Sequence, residues 1–172
     1  MKNCILSTLG VLALLAGCSS TPAHKADLSA DEARAYFEVL RADFKAGKVR
    51  AINQVMKLTV AEANSFWPIY RQYEKDLAEV GDRRMTLISG FLVQRNAGTL
   101  TDPDYTEMAA KWLQNNQDRL ELWKKYHQQI SAAVSPLRAA QFLQVENQMA
   151  IYVDLKIASE IPVIGVPVIN TH

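Results

Sequence analysis

Cysteine is missing from most of this sequence, and its absence excludes several kinds of chemistry. Cys4 and Cys18 are the two cysteines among 172 residues, and both lie near the start of the chain. A chain cleaved just before Cys18 and lipidated there would retain no free thiol. For such a chain we expect no disulfide, no thiolate nucleophile and no cysteine-based metal site.

Glycine and proline are also scarce, with 7 and 6 residues that cluster towards the ends of the chain. β-Sandwiches and barrels need frequent turn signals, so this distribution favours an all-α fold in one domain. An excess of one charge is lacking too, because 19 Lys and Arg residues balance 18 Asp and Glu residues. The balance gives no support for nucleic-acid binding, and no nucleic-acid-binding motif is visible.

The first residues resemble a bacterial lipoprotein signal. Lys2 precedes a short apolar run over residues 5–16, and Leu15-Ala16-Gly17-Cys18 is similar to a lipobox. This predicts a signal peptide over residues 1–17, a lipid on Cys18 and a polar tether over residues 18–28. Ser19 is typical of lipoproteins sorted to the outer membrane on its periplasmic side. An ordinary secretory peptide with an incidental cysteine is the alternative.

The stretch from Thr59 to about residue 95 predicts one long helix. Thr59 and Glu62 form a capping-box pattern at its start. Its seam follows a spacing of fours and threes, typical of a helix packed against partner helices. The seam residues are Phe66, Tyr70, Tyr73, Leu77, Val80, Arg84, Leu87 and Phe91.

Three more helix starts are predicted from N-cap residues: Ser29, Asp102 before Pro103, and Ser135 before Pro136. We expect Gly47 to end the first helix, with residues 48–58 forming either a separate helix or a continuation that breaks before Thr59. The third segment should run to about residue 131. Its predicted seam is Tyr105, Ala109, Trp112, Asn116, Arg119, Trp123, Tyr126 and Ile130.

The last helix should run to about residue 159, with Phe142, Val145, Met149 and Tyr152 as its buried stripe. Residues 29–160 would then form an elongated long-helix hairpin with flanking helices. Two prolines and a glycine among β-branched residues make the apolar tail, residues 161–172, extended. It would either lie across a groove of the bundle or recruit a partner.

Arg84, Asn116 and Arg119 are polar positions inside otherwise apolar seams. If the two long helices fold back as a hairpin, these residues come to similar levels. They would form a binding site or a specificity layer, with Glu146 on the last helix as the counter-charge. The alternative is that their stems pack while their charged ends reach water.

No catalytic, cofactor-binding or metal-ligating arrangement is evident. The histidines, at positions 24, 127 and 172, lack metal-ligand spacing, and there is no nucleophile elbow or phosphate-binding glycine loop. We therefore expect a protein that is not an enzyme and needs no cofactor.

Leu58-Thr59-x-x-Glu62 and Val134-Ser135-Pro136, each opening a helix, resemble the twin LTxxQ motifs of the Spy/CpxP-like periplasmic proteins. Glu62 stands where that motif has Gln. The resemblance implies an ATP-independent chaperone or envelope-stress adaptor that binds unfolded clients or other envelope proteins. A homodimer is a further candidate partner arrangement. The alternative is a structural or regulatory lipoprotein that docks one dedicated envelope partner.

Overall fold

A computed structural model of the protein describes residues 28–161. They form four α-helices: α1 (Ala30–Met56), α2 (Val60–Ala97), α3 (Asp102–Ala133) and α4 (Pro136–Glu160). No strand occurs between residues 28 and 161, so the predicted all-α class is confirmed. The signal peptide, Cys18, residues 19–27 of the tether and residues 162–172 of the apolar tail lie outside the described residues.

Each helix packs against the next one in the chain, and α4 also packs against α1. Successive ion pairs show that neighbouring helices run antiparallel. Between α1 and α2, Arg41 pairs with Asp82 and the later Lys48 pairs with the earlier Glu74. Between α2 and α3, the same reversal relates Arg83 with Asp118 to Asp76 with Lys125. The result is an up-and-down four-helix bundle. Helices α2 and α3, with 38 and 32 residues, form the predicted long hairpin, and α1 and α4 flank it.

Helix α1 is longer than predicted, because Gly47 lies inside it rather than at its end. A glycine in a helix interior costs about 1 kcal/mol relative to alanine. Burial of Ile52 and Met56, which follow at helical spacing, offsets this cost. The helix ends instead at Lys57, which adopts a left-handed conformation with φ 43°. Residues 48–56 therefore continue α1, and the expected break before Thr59 is present.

Ser29, Thr59 and Ser135 are N-cap residues, as predicted. The Thr59 hydroxyl accepts a hydrogen bond from the Glu62 N–H at 3.3 Å, and the Glu62 carboxylate accepts one from the Thr59 N–H at 2.8 Å. Ser29 and Glu32 make the same pair of contacts at the start of α1. Both capping boxes thus satisfy N–H groups that have no partner within the helix.

The prediction that Asp102 caps α3 is wrong by one position, because Thr101 is the N-cap and Asp102 is the first helical residue. The N–H and the hydroxyl of Thr101 both donate to the carboxylate of Asp104. Asp104 can reach back to Thr101 because it lies three residues on, which is the capping-box spacing. Asp102 remains in the first turn, where a negative charge favours the helix dipole.

The interior contains two apolar clusters. The first lies between the second half of α1, the first half of α2 and the facing parts of α3 and α4, with Tyr73, Tyr126 and Phe142 fully buried at its centre. The second joins the start of α1 to the second half of α2 and the end of α4. Leu28 is buried in this second cluster. Its assignment to the tether is therefore wrong, since it packs as part of the folded bundle.

Several predicted seam positions face solvent. Trp112 is 56% exposed and Tyr152 is 48% exposed. Tyr152 still contacts α1, since the centroids of the Tyr152 and Phe44 rings are 5.0 Å apart. On α3 the buried amide is Asn115 rather than the predicted Asn116. The Asn115 side chain donates a hydrogen bond to the Val80 carbonyl at 2.9 Å. Most of the α2 seam is buried as predicted: Phe66, Tyr70, Tyr73, Val80 and Phe91.

Candidate functional site

A charged cluster lies inside the bundle between α1, α2 and α4. The Nζ atom of Lys48 is 2.8 Å from Oε2 of Glu146 and 2.7 Å from Oε1 of Glu74. The Lys48 and Glu146 side chains are only 8% and 3% exposed. A buried charge is tolerated only when it is paired and hydrogen-bonded, so these contacts are required for the folded state.

Aromatic side chains complete the hydrogen bonding of Glu146. The Tyr73 hydroxyl donates to Oε2 at 2.6 Å, and the Tyr70 hydroxyl lies 3.5 Å from Oε1. The indole N–H of Trp123 on α3 in turn donates to the Tyr73 hydroxyl at 3.0 Å. The network therefore connects all four helices through one carboxylate.

The electrostatics of the cluster follow from burial and pairing. Burial disfavours the charged form of Lys48, but Glu146 and Glu74 outweigh it and raise the pKa of Lys48 above its usual value. Burial also raises the pKa of Glu146, against the opposing effect of Lys48. Burial and then Glu146 raise the pKa of Tyr73 well above the ordinary value. Tyr73 therefore stays protonated and acts as a hydrogen-bond donor.

A second polar layer lies nearer the other end of the bundle. Arg84 of α2 and Arg119 of α3 both bind the carboxylate of Asp154 on α4. The Arg119 Nη1 atom is 3.2 Å from Oδ2 of Asp154, and its Nη2 atom donates to Asn116 Oδ1 at 3.1 Å. The layer is half-buried, with the Asp154 side chain 37% exposed.

The structure thus brings Arg84, Asn116 and Arg119 together, as the sequence suggested. Their counter-charge is Asp154, and the choice of Glu146 is wrong because that carboxylate binds Lys48 in the other layer. The sequence analysis did not identify Lys48 or Asp154 as members of these two layers. Lys48 stands four residues before the buried Ile52, so the apolar stripe of α1 contained a signal, whereas nothing in the sequence marked Asp154.

Neither layer offers an open reactive group, since each charged side chain in them has a partner of opposite charge. Among residues 28–161, no group of three or more His, Cys, Asp and Glu side chains is arranged to hold a metal ion. None of the four helices has both the length and the apolar character of a membrane span. The two layers are therefore best understood as parts of the bundle interior.

The outer surface of α4 differs from that of the other helices. Its charged residues, Arg138, Glu146, Asp154, Lys156 and Glu160, are all buried or half-buried. The exposed residues of α4 are all uncharged, and we call them the α4 face: Pro136, Leu137, Ala140, Gln144, Asn147, Gln148, Ile151, Tyr152, Leu155, Ala158 and Ser159. The exposed side of a surface helix normally carries charged residues, so this surface is unusual.

Large apolar side chains stand out on the α4 face. Leu137, Ile151 and Leu155 are 63%, 59% and 65% exposed. Arg119 and Asp154 bind each other across the contact of α3 with α4, and the residues directly after them, Leu120 and Leu155, are both exposed. The apolar surface therefore extends from α4 towards α3. Sequence reasoning missed it, because the predicted stripes considered only the buried side of each helix.

No protein-family model, curated protein or solved structure matches this chain. The α4 face is the surface of the described residues that best qualifies as a binding site, because it exposes several large apolar side chains among uncharged polar ones, and exposed apolar surface marks interaction sites.

Proposed function

We propose that this protein is a non-enzymatic envelope lipoprotein that binds exposed apolar segments of other proteins, as an ATP-independent chaperone or stress-response adaptor. The observation that carries the proposal is the α4 face, which exposes large apolar side chains and no charge. The resemblance of the helix starts at Leu58 and Val134 to LTxxQ motifs supports the same class.

The chemistry of the α4 face suits weak binding of many sequences. A client can cover Leu137, Ile151 and Leu155 without burying an unpaired charge, because the nearby Asp154 is already bound to Arg84 and Arg119, so the cost of burying polar groups is small. Full burial of one such side chain contributes about 1.5–3 kcal/mol. Gln144 and Gln148 lie between the apolar residues and can exchange hydrogen bonds with a client backbone. Such contacts select for apolar character rather than for one sequence.

Light scattering of a destabilised client, without nucleotide, tests the proposal. A chain beginning at Lys25 retains all the described residues and should delay aggregation of several unrelated unfolding proteins. Ile151→Lys with Leu155→Lys should remove most of this protection. The matched control is Val39→Lys with Val93→Lys, two exposed valines on α1 and α2 with 61% and 58% exposure. The control should protect as well as the parent chain.

Absence of protection for every client, from a chain that circular dichroism shows to be helical, would overturn the proposal. Capture of one stoichiometric envelope partner, instead of many clients, would establish the alternative of a lipoprotein with a dedicated partner. Equal loss of protection in the α4 and control variants would remove the α4 face as the binding surface.

Attachment to the membrane through Cys18, on the periplasmic side of the outer membrane, belongs to the same proposal. It is supported by the lipobox-like Leu15-Ala16-Gly17-Cys18 and by Ser19. Stable anchoring needs more than one acyl chain, which a fully lipidated cysteine supplies. Metabolic labelling with palmitate should mark the wild-type chain and not Cys18→Ala, and an unlabelled wild-type chain would contradict it.

A further inference from the structure

Helix α4 is shorter than the hairpin it packs against. Arg119 of α3 binds Asp154 of α4, and the two helices run antiparallel. Ile161 lies seven residues after Asp154, and Trp112 lies seven residues before Arg119. Because both helices rise about 1.5 Å per residue, Ile161 and Trp112 lie at similar levels along the bundle. Beyond this level α3 continues for ten residues, from 102 to 111, without α4 beside it.

At and beyond the end of α4, α3 carries apolar residues on its inward side. Trp112 is one helical repeat of seven residues from Arg119 and so lies on the face that turns towards α4. It is nevertheless 56% exposed, and Ala109 is also exposed. We call Ala109 and Trp112, together with the half-buried Tyr105, the open face of α3. Its exposure is explained by the end of α4, since the helix that should cover it has already stopped.

The chain leaves α4 close to this open face. Ile161 is extended, with φ −89° and ψ 126°, and it is half-buried against the second apolar cluster. Met108 of α3 packs against the same cluster. A small apolar cavity between α1, α2 and the end of α4, with Phe37, Ile88 and Ile161 in its walls, remains at this end of the bundle. The chain therefore emerges from α4 on an apolar surface that is incompletely filled.

We propose that residues 162–172 of the apolar tail bind to the open face of α3 and cover Trp112. The segment reads Pro-Val-Ile-Gly-Val-Pro-Val-Ile-Asn-Thr-His and contains no Lys, Arg, Asp or Glu. Its prolines exclude a continuation of α4 but allow an extended strand. Ten helical residues of α3 span about 15 Å. About five extended residues cover the same length, so residues 162–166 reach from Trp112 to the start of α3.

The tail has an advantage over other occupants of this face. It is tethered at Ile161, so its effective concentration at the open face is of the millimolar order that short connections give. A second copy of the chain or an unfolded client would have to displace it. The open face therefore differs from the α4 face, where nothing in the described chain provides a competing segment.

The fluorescence of Trp112 tests the proposal. The full chain and a chain ending at Ile161 are each compared with their Trp112→Phe variants, and the difference spectrum isolates Trp112 from the other two tryptophans. In the full chain we expect emission at shorter wavelength and several-fold weaker quenching by acrylamide than in the shortened chain. Because Trp112 is exposed, its replacement by phenylalanine leaves the bundle folded, which circular dichroism confirms.

Substitutions in the tail provide the matched control. Ile164→Lys with Val166→Lys in the full chain should expose Trp112 as much as removal of residues 162–172 does. Asn170→Lys, beyond the segment that spans the open face, should leave the quenching unchanged. Equal quenching in the full and shortened chains overturns the proposal. Protection that grows with protein concentration also overturns it, because it places a second copy on this face, as does protection that appears only when an unfolded client is added.

Discussion

Lys48 on α1 and Glu146 on α4 form an ion pair inside the bundle, with Nζ 2.8 Å from Oε2. The pair joins the first described helix to the last, and the two side chains are among the least exposed charged groups of residues 28–161. Removing two charges from water is costly, and mutual attraction repays it only when the remaining hydrogen bonds are made. Here Glu74 and Tyr73 make them.

Replacing Lys48 alone should therefore destabilise the protein strongly. We expect Lys48→Met to lower the free energy of unfolding by about 3–5 kcal/mol, because Glu146 would remain buried without its cation. Urea unfolding monitored by circular dichroism measures the loss. Lys48→Met combined with Glu146→Leu should cost less than the sum of the two single changes, since only the half-buried Glu74 then lacks a cation. The control is Arg83→Met, which removes an exposed ion pair with Asp118 and should cost about 1 kcal/mol or less.

Glu62 should make the stability depend on pH in the acid range. Hydrogen bonds from Arg138, at 2.9 and 3.1 Å, and from the Thr59 N–H lower the pKa of Glu62 from 4.5 to about 2. A lowered pKa in the folded state means that this contribution to stability is present above about pH 4.5 and is lost as the pH falls towards 2. Urea midpoints across this range should fall less steeply in Glu62→Gln than in the wild type. Glu107→Gln, which removes an exposed carboxylate paired with Lys111 within α3, should follow the wild-type curve.

Thr59 should contribute to stability through the capping box of α2. We expect Thr59→Ala to lower the free energy of unfolding by about 0.5–2 kcal/mol, because the Glu62 N–H loses its acceptor. Chemical denaturation measures the change. Thr59→Ser keeps the hydroxyl and should cost less than Thr59→Ala. Unfolding curves of Thr59→Ala that coincide with those of the wild type would show that the cap adds nothing to stability.

Asp154 should be more sensitive to substitution than either arginine it binds. Asp154→Asn leaves the guanidinium groups of Arg84 and Arg119 close together without a counter-charge, and we expect a loss of about 1–2 kcal/mol. Adding Arg84→Met should recover part of the loss by removing one of the two like charges. A double variant that is less stable than Asp154→Asn alone would contradict this account. Thermal or urea unfolding of the wild type, Asp154→Asn and the double variant measures these differences in stability.

Local signals in the sequence were sufficient to predict the starts of α1, α2 and α4. The capping boxes at Ser29 and Thr59 and the α2 seam were predictable because they depend on residues three and four positions apart. Gly47 misled the prediction of α1, since its intrinsic preference is overridden by burial of the residues that follow it. Tertiary packing often overrides propensity in this way.

The layers and the exposed surfaces depend on how the helices are positioned along each other, which no local pattern contains. Asp154 binds Arg84 and Arg119 because the position of α4 along the α2–α3 hairpin brings it to their level. Trp112 followed the seam spacing and yet is exposed, because α4 ends at its level. The length of one helix relative to another was therefore the missing information.

The contact of α4 with α1 also sets the order in which the bundle can be assembled. Chains are made from the N-terminus, and folding tends to follow this direction. The contacts of α1 with α2 and of α2 with α3 form between neighbours in the chain, so they close short loops quickly. Lys48 already has Glu74 as a partner at that stage, whereas Glu146 arrives only with α4. Lys48 can therefore pair with Glu74 as soon as α1 and α2 meet, and the addition of α4 completes both its charge pairing and the core around it.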